Sequence, residues 1–161
     1  MKDVLISLKN IPSHIEIEDY FSLRVVYDSS VEGIRFIGFY NNDEDLLEIS
    51  VNKDTGSLKK IQITICHTYQ IINSNLDINS IIPNFSDLEL IMPDHNECPA
   101  FMLEIYKDCA SINLSQTPPS RYAKCGQVFF GIDNANNIVS IIVTQLTEAD
   151  RSHIIEELSM Q

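Results

Sequence analysis

The sequence predicts an α+β protein: a mostly antiparallel sheet of six to eight strands, with one short helix near the N-terminus and another at the C-terminus. Three observations carry that expectation. Ile34–Tyr40, Leu47–Asn52 and Leu58–Cys66 read as three successive strands, and apolar residues recur at every second position through the last two. The turn Lys53-Asp54-Thr55-Gly56-Ser57 divides the last two of these runs, as in a hairpin. Finally, an amphipathic helical stripe runs from Glu148 to about Ser159.

Near the N-terminus, Ser13-His14-Ile15-Glu16 has the S-x-x-E form of a capping box and predicts a short helix through Tyr20. A strand is the competing reading, because Ile15 and Ile17 alternate with Glu16 and Glu18; the helix is preferred. Leu23–Tyr27 then reads as a strand, with a turn at Asp28-Ser29-Ser30 and Gly33 before the central meander. In that meander Leu47, Ile49 and Val51 share one face, and Glu48, Ser50 and Asn52 the other. Leu58, Ile61, Ile63 and Ile65 resume the apolar face against Lys60, Gln62 and Thr64, with one phase slip near Lys59. A connection of this length fits a type I turn closed by a glycine at positive φ.

Between Ile71 and Asn96 the pattern dissolves. Asn73, Asn75, Asn79, Asn84, Pro83 and Pro93 predict a long connection with one helical turn after Ser86, the kind of loop that is functional or mobile. From Pro99 onward strands return at Phe101–Tyr106, Ser111–Leu114, Gln127–Asp133 and Ile138–Thr144, with a loop at Pro118-Pro119. This second set overlays the first. Val51–Gly56 falls on Ile132–Asn137, Ile61–Thr64 falls on Ile141–Thr144, and Tyr27-Asp28 falls near Tyr106-Lys107. The chain therefore reads as a single domain over residues 1–161, with two alternatives for its halves: an internal duplication of residues 21–70 and 100–145, or the ordinary likeness of hairpins. The C-terminal helix takes Thr147 as N-cap, Glu148 and Asp150 at the positive end of its dipole, and Ile154, Ile155 and Leu158 as its apolar stripe opposite Arg151, Glu156 and Glu157.

Charge is the outstanding compositional fact: 23 Asp and Glu against 11 Lys and Arg give a net −12 over 161 residues. That sign repels nucleic acid and anionic membranes and favours a basic protein partner, although solubility alone would also account for it. No apolar run approaches the roughly 18–20 residues of a membrane span. The N-terminal patch is too short for a signal peptide, so a cytoplasmic location is expected.

Motifs for chemistry are sparse. Cys66, Cys98, Cys109 and Cys125 are spaced 32, 11 and 16 apart without a C-x-x-C pair, and are expected to stay reduced as small apolar residues. A thiolate nucleophile needs an oriented base, and Cys66 and His67 are strand neighbours that point to opposite faces. The loop Asp94-His95-Asn96-Glu97-Cys98 is dense in ligand types, yet five consecutive residues rarely converge on one metal. Glycines 33, 38, 56, 126 and 131 form no phosphate-binding cluster. No enzyme, metal or cofactor is therefore expected; the alternative is a small thiol- or metal-dependent hydrolase using Cys98 and His95. The acidic clusters Glu16, Glu18 and Asp19, then Asp28 and Glu32, then Asp43, Glu44 and Asp45, are the candidate partner surface.

A small acidic β-rich chain with twin hairpins at Leu47–Ile65 and Gln127–Thr144 resembles the immunity proteins of bacterial contact-dependent growth inhibition, in particular the group that neutralises zinc-dependent DNase toxins. The resemblance covers overall layout and rests on no short diagnostic motif. It implies a protein that blocks the C-terminal toxin domain of a delivered effector, a basic nuclease, by β-augmentation.

Overall fold

The computed structural model describes residues 4–8, 11–41, 44–81, 83–84, 88–92 and 101–161. The chain is mostly β, with one helix at its C-terminal end. Its strands are β1 (Val4–Leu8), β2 (His14–Glu18), β3 (Phe21–Val26), β4 (Ile34–Asn41), β5 (Asp45–Asn52), β6 (Leu58–Ile65), β7 (Tyr69–Ile71), β8 (Pro83–Asn84), β9 (Leu88–Met92), β10 (Met102–Ile105), β11 (Ala110–Asn113), β12 (Arg121–Cys125), β13 (Val128–Ile132) and β14 (Ile138–Val143), followed by α1 (Glu148–Ser159).

These strands build two large sheets and a ribbon. The first sheet runs β2-β3-β6-β5-β4 and is antiparallel throughout. The second runs β7-β10-β11-β14-β13-β12-β8; its five central strands are antiparallel, and the two short outermost strands are parallel to their neighbours. The order β2-β3-β6-β5-β4 is therefore repeated, strand for strand, as β10-β11-β14-β13-β12. β1 and β9, each preceding one of these five-strand units, pair antiparallel with Ile6 opposite Leu90. β1 lies against β6, and β9 against β14, the corresponding strand of the other unit.

Alternation explains how the sheets are held. Val25, Ile49 and Ile61 on the first sheet and Ile112, Phe130 and Ile141 on the second face one shared core in which all are buried. Two bonds stitch the units beside it. The Tyr27 hydroxyl donates to the Cys125 carbonyl at 2.8 Å, and Gln127 N–H donates to Ser13 Oγ at 3.1 Å.

That second bond explains a correction near the N-terminus. Residues 14–18 are a strand, not the expected helix. Ser13 caps nothing, because its hydroxyl serves Gln127, and the Glu16 carboxylate is taken by the side chains of Arg24 and His14. β-branched Ile15 and Ile17 at period two override the capping pattern. Short β12 also escaped the periodicity, and β7 to β9 interrupt what reads as an unbroken connection between Ile71 and Asn96. The helical turn expected after Ser86 is not found, because strand β9 already begins at Leu88; a 3₁₀ turn occupies Ile78–Ser80.

Both hairpin turns are closed by side-chain oxygens. Asn52 Oδ1 accepts from Asp54 and Thr55 N–H, and Gly56 takes φ 71°, the positive value foreseen for the turn. In the second hairpin Asp133 Oδ1 accepts from Ala135 and Asn137 N–H, with Asn136 at φ 66°. The registers place Val51 with Ile132 and Ile61 with Ile141, as the sequence overlay does. Tyr27 and Tyr106 do not correspond, since one follows β3 and the other β10.

The segments that trail each unit cross over. β7, following β6, adds to β10 in the second unit. α1, following β14, packs on β3 and β2 in the first. Thr147 and Asp150 form a reciprocal capping box at the start of α1, and Ile154 and Leu158 are buried beneath it. Glu157, expected on the polar face, is buried as well, because i+3 from Ile154 falls on the inward stripe; His153 Nε2 lies 3.6 Å from its carboxylate. Replacing Thr147 with Ala should cost about 1 kcal/mol and lower Tm by roughly 2–4 °C. Calorimetry of the two proteins checks it; an unchanged Tm would show that α1 does not depend on its cap.

Candidate functional site

The two sheets treat their outer edges differently. The second sheet ends in the short parallel strands β7 and β8. The first ends in eight-residue β4, which has no strand on its far side among the described residues. Lys53 N–H donates to the Gly33 carbonyl at 2.7 Å, so Gly33 and Lys53 are a hydrogen-bonded pair. Alternation along the antiparallel ladder then turns the N–H and C=O groups of Ile34, Phe36, Gly38 and Tyr40 away from β5 and toward the open edge. An edge of this kind is a template for another strand unless something blunts it.

Exposed apolar groups gather here. Phe36 is 57% exposed, Tyr40 54% and Val31, just before the strand, 83%. Tyr40 folds over Gly38, whose missing side chain leaves room for it: a Cβ there would lie 2.9 Å from the Tyr40 hydroxyl. Beside Val31 a cavity of about 260 Å³ opens on the outer face of the first sheet, between Val26 and Ile34 on its apolar side and Arg24, Lys59 and Lys60 on its charged side. Ser50 also lines it, and its hydroxyl is buried with no hydrogen-bond partner.

Lys59 is the phase slip seen in the sequence. Ser50 pairs with Lys60 and Val51 with Leu58, which leaves Lys59 as the extra residue of a bulge. Its side chain is 97% covered, and a buried ammonium is tolerable only with its donors occupied. Nζ donates to Asp28 Oδ2 at 3.2 Å and to the Ser30 carbonyl at 3.0 Å and hydroxyl at 2.5 Å. Lys59 thereby anchors the loop that carries Val31. Hydrogen bonds from the Ser30 backbone and hydroxyl and from Lys59 hold the Asp28 carboxyl below its ordinary value. Next to it, Arg24 donates to Gln62 at 2.8 Å and to Glu16 at 3.1 Å and stacks on the Phe21 ring at 3.6 Å.

The sequence-predicted acidic residues occupy several places. Glu16 lies on the outer face of β2, bonded to His14 and Arg24, and the His14 bond is the largest cause of its lowered carboxyl value. Glu18 and Asp19 are exposed at the end of β2, on the far edge of the sheet from β4. Asp28 and Glu32 are exposed on the loop beside the cavity, and Glu44 is exposed at the turn after β4. Asp43 lies outside the described residues. Asp45 corrects the expectation of a surface group: its side chain is buried and accepts from His67 N–H at 2.7 Å, His67 Nδ1 at 2.8 Å and Thr68 N–H at 3.2 Å. Burial pushes its carboxyl up, but these bonds together outweigh burial and the net shift is downward. Sequence reasoning missed Phe36, Tyr40 and Val31; the readable signal was an aromatic residue on the polar-facing phase of β4.

Cys66, Cys109 and Cys125 are buried. Burial pushes Cys66 and Cys109 up to about 12, so these two stay protonated near neutral pH and are poor nucleophiles. His95 and Cys98 lie outside the described residues. Among the described residues no three His, Cys, Asp or Glu side chains converge as a metal site requires, and no helix is long and apolar enough to cross a membrane.

Fold and site together define a class: a mostly β, two-sheet protein with a long edge strand, β4, that has no outer neighbour among the described residues, and a strongly acidic composition. No protein-family model matches the chain, and no curated protein is similar to it in sequence.

The depressed carboxyls of Glu16, Asp28, Asp45 and Asp133 set the sign of the acid response. A carboxylate held lower in the folded than in the unfolded chain adds stability above its unfolded value, and that stability is lost as pH falls through its folded value. The urea midpoint is expected to fall steadily from about pH 5 downward. Asp45→Asn should lower stability by about 1–3 kcal/mol at neutral pH and flatten the acid slope; an unaltered slope would show that Asp45 is not a contributor.

Proposed function

We propose that this protein captures another polypeptide along β4, acting as an immunity protein that neutralises the toxin domain of a contact-delivered effector. The observation that carries the reading is the β4 edge, where the outward backbone groups of Ile34, Phe36, Gly38 and Tyr40 meet no strand among the described residues and lie beside exposed Phe36, Tyr40 and Val31. Main-chain bonds from an added strand supply affinity, and alternate side chains in flanking pockets supply specificity. Aromatic residues suit such a place, because they bury a large area at small entropic cost.

Charge supports the nature of the partner. A net charge of −12 speeds encounter with a basic protein and repels nucleic acid, which fits a nuclease toxin domain in the cytoplasm of the protected cell. Capture is stoichiometric on this reading and needs no catalytic group.

The test pairs the purified chain with the toxin domain encoded immediately upstream of its gene. Phe36→Asp should weaken the complex about thirtyfold, a loss of about 2 kcal/mol, while leaving thermal unfolding unchanged. Raising salt should slow association far more than it speeds dissociation. A toxin inhibited equally well by Phe36→Asp would overturn β4 as the site. One that ignores the immunity chain altogether would overturn the function.

A further inference from the structure

The second unit carries, within this same chain, an example of what its open counterpart lacks. Following the registers across both sheets, the outer-face row Gly38-Glu48-Gln62-Arg24-Glu16 in the first corresponds to Lys124-Phe129-Ile142-Ser111-Glu104 in the second. Phe36 and Ile37 on β4 therefore hold the positions of Tyr122 and Ala123 on β12. At those two residues β12 is joined by β8, with Tyr122 opposite Pro83 and Ala123 opposite Asn84, running parallel. Upstream of β8 the chain crosses the outer face of the second sheet, where Leu76, Ile78 and Ile81 cover Phe129, Ile142 and Tyr122.

From this internal precedent we infer that β4 accepts an extended segment of another protein running parallel to it and seated opposite Phe36 and Ile37. The inference rests on the reading of β4 as the capture site and adds direction, register and chemistry. The row covered in the second sheet is apolar at Phe129 and Ile142, whereas the first sheet has Glu48 and Gln62 in their places, both reachable by solvent. A segment crossing this face on its way to β4 is therefore polar, and against a net charge of −12 it is basic. The cavity beside Val31, with the unpartnered Ser50 hydroxyl in its lining, lies on the same face and takes a side chain from that segment. The second sheet has a cavity in the corresponding place, and it too includes a buried hydroxyl without a partner, that of Ser140, which holds the position of Lys60.

Parallel pairing at this spot makes a specific demand on β4. The Phe36 N–H faces the open edge and serves no bond to β5, so proline can replace it without breaking the sheet, as edge strands allow. Phe36→Pro removes a donor the added strand needs, while Phe36→Ala removes only the ring.

The experiment uses the full chain and linear ten-residue peptides selected by display on it, with isotope-labelled protein observed by NMR. The expected result is a set of basic peptides that shift the Phe36 to Gly38 amides. A nitroxide on the peptide N-terminus should broaden Ile34, and one on its C-terminus should broaden Tyr40. Phe36→Pro should weaken binding at least tenfold with the rest of the spectrum retained, and Phe36→Ala should weaken it less. The reverse broadening pattern would overturn the parallel inference and leave capture at β4 standing. Peptides that bind elsewhere, or no selected peptide at all, would overturn both. Self-association of the free chain that protects the β4 amides would overturn the foreign partner in favour of a second copy.

Discussion

Neither five-strand sheet can keep its inner face from water alone. A twisted antiparallel sheet has one apolar face, and the only partner large enough for each is the other sheet. Burial of Val25, Ile49 and Ile61 against Ile112, Phe130 and Ile141 is the constraint from which the remaining arrangement follows. It fixes which residues of each strand must be apolar, and so fixes register, since a slip by one residue would put Glu48 or Gln62 inside. It also leaves both outer faces to other uses. The second is covered by its own chain; the first keeps charge, a cavity and an open edge.

The charged face of the first sheet is held in place by polar groups at half-buried positions. Lys59 would be costly inside if its ammonium were unpaired, yet the bulge that places it there also turns the Asp28–Ser30 loop into its cradle. Arg24 is fixed in the same way between Gln62, Glu16 and the face of Phe21. Side chains held so firmly lose little further freedom when a ligand arrives, which favours recognition by a preorganised surface.

Much of this architecture was legible before any coordinates. Period two identified β5 and β6, the likeness of the second hairpin to the first pointed to β13 and β14, which are buried throughout and do not alternate, and the Thr147 cap with Ile154 and Leu158 identified α1. The phase slip at Lys59 was visible as a break in alternation, although its cause, a buried cation, was not. The N-terminal strand was hidden by a capping pattern whose serine is recruited by a residue 114 positions away. No local rule contains that information. The site was legible only in part: acidic residues stand out in composition, but Asp45 shows that a carboxylate in a charged run can turn inward when backbone donors await it. That β4 is the strand left open could not be read, because strand order beyond a hairpin is set by contacts between residues far apart in the chain.

The crossing of trailing segments has a consequence for synthesis. α1 lies on β2 and β3, and Gln161 accepts from Cys66 N–H and donates to Ser22, so the sheet made first is completed by residues made only after the whole second unit. The nascent chain must hold a partly bare sheet through the translation of the whole second unit, a window in which chaperone contact and misassociation compete with native closure.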